Sequence, residues 1–234
     1  MTLPDRLRHT LRKAFTLIEL ITVIAIIAIL MALLLPVVNQ VRLQANKARA
    51  KSDVLNIVGA VKAYYTDYGQ YPPGPALTGS DVIIGPSSTY KNYMLMDVLR
   101  NVTDTAWMVS GTANLRQIPY LDIPNCKSTT APKGGIFSGA ASITYNGNTV
   151  YPGDFMDPWG TAYYVAIDYS YDNVIDGVTI WSDVNTSTAA TSQIRSGSIS
   201  WSVGLDGVLG SKANPGVLNA TSTYPASDDV VSFQ

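Results

Sequence analysis

Residues 15–38 read FTLIELITVIAIIAILMALLLPVV, twenty-four residues broken only by Thr16, Glu19, Thr22 and Pro36. As a helix the stretch would extend about 36 Å, more than the ~30 Å hydrocarbon core of a bilayer. Glu19 is the only glutamate in the chain; the other sixteen acidic residues are aspartates outside this segment. A carboxylate beside hydrocarbon costs about 2.5–3.5 kcal/mol on insertion scales, so its presence there calls for a functional reason.

Outward from this run, the N-terminal side holds Arg6, Arg8, Arg12 and Lys13 against Asp5 alone. That bias keeps the N-terminus in the cytoplasm and sends the C-terminal bulk across the membrane. An ordinary secretory signal has an apolar region of about 7–15 residues and then a small-x-small cleavage site. The run here is longer and ends in Leu35-Pro36-Val37-Val38-Asn39-Gln40 without a good site. A plain signal anchor would tolerate Glu19 near the interface but gives it no task.

The segment Lys13-Ala14-Phe15-Thr16-Leu17-Ile18-Glu19 resembles the class III signal of type IV pilins and type II secretion pseudopilins. The resemblance implies a cytoplasmic leader, residues 1–14, removed by a prepilin peptidase between Ala14 and Phe15. It also implies N-methylation of Phe15 and places Glu19 fifth in the mature chain. Pro36 falls where the family often has a proline. Ala14 departs from the usual glycine before the cut, a small change in size that slows processing at most. The implied fold is α+β: a long apolar N-terminal helix packed on a small antiparallel sheet, followed by a C-terminal loop region.

The chemistry expected of Glu19 follows from charge. Before cleavage the nitrogen of Phe15 is a neutral amide; afterwards it is an ammonium at a helix terminus. A carboxylate in the first turn gains about 0.3–1 kcal/mol from the helix dipole, too little to offset burial. Pairing with the N-terminus of a neighbouring subunit would supply the rest. Glu19 would then set the axial stagger between packed helices, as a buried polar residue sets register in a coiled coil. Filament assembly is thereby assigned to Phe15, Glu19 and Pro36.

Without residues 1–14 the chain keeps twelve basic and sixteen acidic residues, a net charge of −4, which gives no footing for nucleic acid. His9 is the only histidine and lies in the leader, so the mature chain has none for a catalytic triad or an ordinary zinc site. The chain is read as not an enzyme. Cys126 stands alone, which rules out an internal disulfide. It is read as a buried or harmless thiol, with intermolecular bridging as the alternative.

Beyond Pro36 the helical pattern continues over 39–68 into the globular domain. Val41, Ala45, Ala48, Leu55, Val58, Tyr65 and Tyr68 mark its apolar face, with core packing expected from Leu55 onward. Arg42, Lys47, Arg49, Lys51 and Lys62 are expected on the solvated side, the first four near lipid head groups or other subunits. Pro36 should kink or open the helix, and Gly59 is a second weak point. Breakers from Tyr68 to Pro75 end it. Residues 69–234 then form an exported β-rich domain. Residues 76–89 read as loop, Tyr90 to Val102 as a short helix, and residues 103–142 show no clear period. Strand signals cover Ala162–Tyr169, Val178–Asp183 and Ser198–Val203.

Two later stretches also resemble the type II secretion major pseudopilins: the turn Asp157-Pro158-Trp159-Gly160, and Ser202-Val203-Gly204-Leu205-Asp206-Gly207 with the terminal Asp228-Asp229-Val230-Val231. From the residues alone, the first is a turn with Trp159 as a core anchor and the second an Asp-Gly turn with a solvated acidic tail. The resemblance implies a calcium (Ca2+) loop with the carbonyl of Val203 and the carboxylates of Asp206 and Asp229 as ligands and Asp228 adjacent. Twenty-two residues separate Asp206 from Asp229, a longer loop than the family's. Asp168, Asp172 and Asp176 miss the alternating EF-hand spacing and read as a solvated turn.

The function implied is that of a structural subunit of a type II secretion pseudopilus, a helical homo-oligomer built by N-terminal helix packing. Its partners would be prepilin peptidase, minor pseudopilins and the inner-membrane assembly platform. Before assembly it would span the inner membrane once, N-terminus cytoplasmic and globular domain periplasmic or extracellular. The alternatives are a surface type IV pilin, a minor pseudopilin, or a membrane-anchored binding protein using Tyr90, Tyr93 and Tyr120 to hold sugars or peptides.

Overall fold

Helix α1 spans Leu17–Tyr68, continuous through Pro36 and Gly59, in a computed structural model that describes residues 16–72, 79–102, 114–180, 191–205, 207 and 230–232. Two compact units divide the chain, Met1–Gln44 and Ala45–Gln234. In the first, every described side chain from Thr16 to Arg42 is exposed, including the isoleucines and leucines on all sides of the helix. A helix apolar all round cannot satisfy itself in water; it requires lipid or other helices around it.

In the second unit α1 turns Ala50, Val54, Ile57, Val61 and Tyr64 into the core, a run of three- and four-residue steps. The expected face is corrected in part: Val58 is buried and Tyr68 packs against the core as expected, but Leu55 and Tyr65 do not. Leu55 and Tyr65 are 48% and 39% exposed, because each lies one residue, about 100°, past a member of the buried stripe. Two of the cations expected on the solvated side also bond to their own domain, Arg49 while remaining exposed. Arg49 donates to the carbonyl of Gly134 at 2.6 Å and Lys51 to that of Val231 at 2.7 Å. The helix ends at Gly69, whose φ of 69° is left-handed and whose N–H closes the last turn on the Tyr65 carbonyl at 2.8 Å.

The main sheet is antiparallel in the order β1-β6-β9-β10, from β1 (Val82–Ile84), β6 (Tyr164–Ile167), β9 (Ser198–Ser202) and β10 (Val230–Val231). Strand β1 lies within residues expected to be loop; its apolar Val82-Ile83-Ile84 is too short to show a period. Along β6 the faces alternate. Val165 and Ile167 join α1 with Leu95 and Leu99 of α2 (Asn92–Arg100), while Ala166 packs with Ile199, Trp201 and Val231 on the other face. That second face is covered by Ile175 and Ile194 from the pair β7 (Ile175–Ile180) and β8 (Thr191–Ile194).

Two further antiparallel pairs complete the described strands: β2 (Gly135–Ile136) with β5 (Phe155–Met156), and β3 (Ile143–Tyr145) with β4 (Asn148–Val150). The β3–β4 hairpin turns at Asn146-Gly147, both with positive φ (49° and 76°), as a tight two-residue hairpin requires. The α+β architecture is thus a long N-terminal helix and small antiparallel sheets.

Candidate functional site

At the N-terminal end, Thr16 and Glu19 form a capping box. The Glu19 carboxylate accepts from the Thr16 backbone N–H at 2.9 Å and from its hydroxyl at 2.7 Å. The Thr16 Oγ1 in turn accepts from the Glu19 N–H at 3.3 Å. Helix α1 begins at Leu17, so Glu19 is its third residue, where a carboxylate can reach back to orphan donors. This local role is written in the sequence as Thr-x-x-Glu, a signal distinct from the charge argument above. Thr22 closes a second local bond, its hydroxyl donating to the Glu19 carbonyl at 3.0 Å. Ala14 and Phe15 lie outside the described residues, and Pro36 sits within α1.

The second candidate joins two stretches far apart in sequence. Asp157 is fully buried, and its Oδ1 accepts from the backbone N–H groups of Trp159, Gly160 and Thr161 at 2.9, 2.7 and 2.9 Å. Its Oδ2 accepts from the Ser202 hydroxyl at 2.6 Å, and the Ser202 oxygen accepts from the Gly204 N–H at 3.1 Å. One carboxylate therefore closes the Asp157-Pro158-Trp159-Gly160 turn and holds the start of the 202–207 loop. Gly160 is required here: its φ is 103°, and a Cβ would collide with the Tyr145 ring. Trp159 is buried in the helix-side core, the anchor role read for it. Burial pushes the Asp157 carboxyl up to about 6, against the pull of its four donors.

Of the residues implied for calcium, Val203 is buried beside Trp201 and Val231, while Asp206, Asp228 and Asp229 lie outside the described residues. Among the described residues no three Asp, Glu, His or Cys side chains gather as a metal site. The Asp168 cluster departs from its reading as a solvated turn. Asp168 is buried and accepts from the Ser170 hydroxyl and the N–H groups of Tyr171 and Asn173, at 2.9, 2.7 and 2.8 Å. Asp172 and Asp176 remain exposed.

A carboxylate not singled out from the sequence, Asp154, caps α2 from the β4–β5 connection. It accepts from the Tyr93 N–H at 2.8 Å and from the Tyr151 N–H at 2.7 Å. Burial pushes it, too, up to about 6. Tyr90, Tyr93 and Tyr120 are half-buried rather than exposed. Tyr93 packs on Tyr151, and Tyr120 meets the Tyr64 ring edge-on and donates its hydroxyl to Asp67 at 2.7 Å, so both have partners within the domain. Cys126 is buried, and burial pushes its thiol up.

Residues 10–35 match the family described as the prokaryotic N-terminal methylation motif. No curated protein and no solved structure matches the chain. The motif is the type IV pilin-like signal for prepilin peptidase processing and membrane association, and the apolar part of α1 fits a membrane anchor.

Proposed function

We propose that the chain is a structural subunit of a type II secretion pseudopilus, cut between Ala14 and Phe15, methylated on Phe15 and assembled by packing of its N-terminal helices. The observation that carries this reading is the methylation motif over residues 10–35 running into a helix whose apolar surface is exposed on all sides. A secretion subunit is favoured over a surface pilin by the contact between Asp157 and Ser202. It brings together the turn and the loop that resemble the major pseudopilins.

In this reading Glu19 holds its own helix terminus before assembly and pairs with the ammonium of a neighbouring Phe15 in the filament. Proteolysis creates that ammonium and so acts as the switch. The function is mechanical rather than catalytic, with prepilin peptidase, minor pseudopilins and an inner-membrane platform as partners. The domain beyond the membrane lies in the periplasm. The all-oxygen donor set of Val203, Asp206, Asp228 and Asp229 suits calcium, a hard cation that takes carboxylates and carbonyls.

Glu19→Gln tests the pairing role, because glutamine keeps a capping box while removing the charge. The variant is expected to be cleaved and to enter the membrane but to yield few or no filaments by electron microscopy of sheared cells. Filaments at the normal yield would refute the ion pair. Thr16→Ala, which removes a capping hydroxyl and keeps the charge, is expected to assemble.

A further inference from the structure

The carboxylate of Asp157 makes one bond that its own turn does not require. Its Oδ1 alone takes the backbone N–H groups of Trp159, Gly160 and Thr161 and closes the turn. Its Oδ2 reaches Ser202, 45 residues along the chain, and accepts that hydroxyl at 2.6 Å. The same hydroxyl oxygen accepts from the Gly204 N–H at 3.1 Å. Val203 is thereby fixed from both sides: Ser202 and Gly204 meet at one oxygen, and the Val203 side chain is buried beside Trp201 and Val231. The far end of the loop rests on the same turn. Gly207, at a φ of 70°, comes so near Thr161 that an added Cβ would lie 3.9 Å from its Oγ1.

Ser202 is also where the second half of the implied ligand set arrives. In the β9–β10 pair it stands opposite Val230, the residue that directly follows Asp228 and Asp229 in the chain. Strand β10 is tied down twice more. The Ser232 N–H donates to the Ser200 carbonyl at 2.9 Å, and Lys51 of α1 donates to the Val231 carbonyl at 2.7 Å. Two stretches that carry oxygen donors therefore converge on a single hydroxyl, a donor chemistry that suits a hard cation.

We propose that Asp157 and Ser202 are positioning residues for calcium binding: they hold the 202–207 loop in its cation-binding shape without themselves serving as ligands. This inference rests on the calcium reading above and adds to it the residues that set affinity. Affinity of an oxygen-lined loop depends on ligand charge and on the rigidity of the site. A serine with only a packing role would alter stability and leave affinity alone.

The test is calorimetric titration of Ca2+ into the full chain in detergent micelles, with melting curves in EGTA to monitor the fold. Ser202→Ala removes the hydroxyl and leaves the turn its three bonds to Oδ1. It should bind Ca2+ about 10–100-fold more weakly, the usual effect of losing a group behind the ligands, while still melting cooperatively. Ser202→Cys fills nearly the same space with a weak donor and should also lose affinity, by a smaller factor. Asp154→Asn, at a buried carboxylate that caps α2, should change the melting curve and leave the affinity unchanged. Equal affinity in Ser202→Ala and the unaltered chain, or an equal loss in Asp154→Asn, would overturn the positioning role with calcium binding intact. Should Ser202→Ala fail to melt cooperatively, unchanged affinity in Ser202→Cys would overturn it instead. No calcium binding by the unaltered chain would overturn the calcium reading and this inference together.

Discussion

Replacing Asp157 by alanine leaves four buried donors without their acceptor: the N–H groups of Trp159, Gly160 and Thr161 and the hydroxyl of Ser202. Each stranded donor costs about 1–3 kcal/mol, so the gross loss is roughly 8 kcal/mol. Against this, removing a charge that burial disfavours, as the carboxyl pushed up to about 6 shows, returns part of that loss. The expected net loss is about 4–5 kcal/mol, a fall in melting temperature of roughly 10–20 °C for a domain of this size. Asparagine keeps an acceptor for the three backbone donors, removes the charge and can donate to Ser202; it should stay within about 1 kcal/mol of the original. Urea unfolding of residues 45–234 at pH 7, followed by the fluorescence of buried Trp159 and Trp201, gives both numbers. A loss below about 1.5 kcal/mol for Asp157→Ala would refute the reasoning, as would equal losses for alanine and asparagine.

Three other outcomes are expected of the same domain. Ile57→Ala should cost about 2–5 kcal/mol by leaving a cavity, and Leu55→Ala less than about 0.5 kcal/mol; the reverse order in urea unfolding would show the helix face to be misassigned. Asp154 and Asp157 have folded values near 6, above the 3.8 of the unfolded chain, so the folded state holds protons more tightly. Their contribution should therefore make the domain more stable as pH falls from 7 through 6 towards 4, by roughly 2–3 kcal/mol per group. Melting curves should show that slope, and it should be reduced in Asp157→Asn. Millimolar calcium should raise the melting temperature, and Asp206→Ala and Asp229→Ala should each abolish the rise; no rise in the unaltered domain would retire the calcium loop.

The N-terminal helix was legible in the chain itself. Helicity and lipid-compatible surface are local properties, so a long apolar run preceded by basic residues marks a helix that fits a membrane anchor, and Thr16-x-x-Glu19 even marks where it starts. The strands β6 and β9 were legible for a similar reason, as Val, Ile, Tyr and Trp between turn residues.

What tertiary structure decided was every pairing between distant residues. Whether Ile57 or Leu55 faces the core depends on which side of α1 meets the sheet, and both are equally apolar. Asp157 and Ser202 lie 45 residues apart, and only the antiparallel path of the chain brings a carboxylate over that hydroxyl. Asp154, Asp157 and Asp168 look like the solvated aspartates around them in sequence; burial, a property of the folded interior, turned each into an organiser of backbone N–H groups. A sequence lists its hydrogen-bonding groups, but which of them lose water is settled only when the layers close.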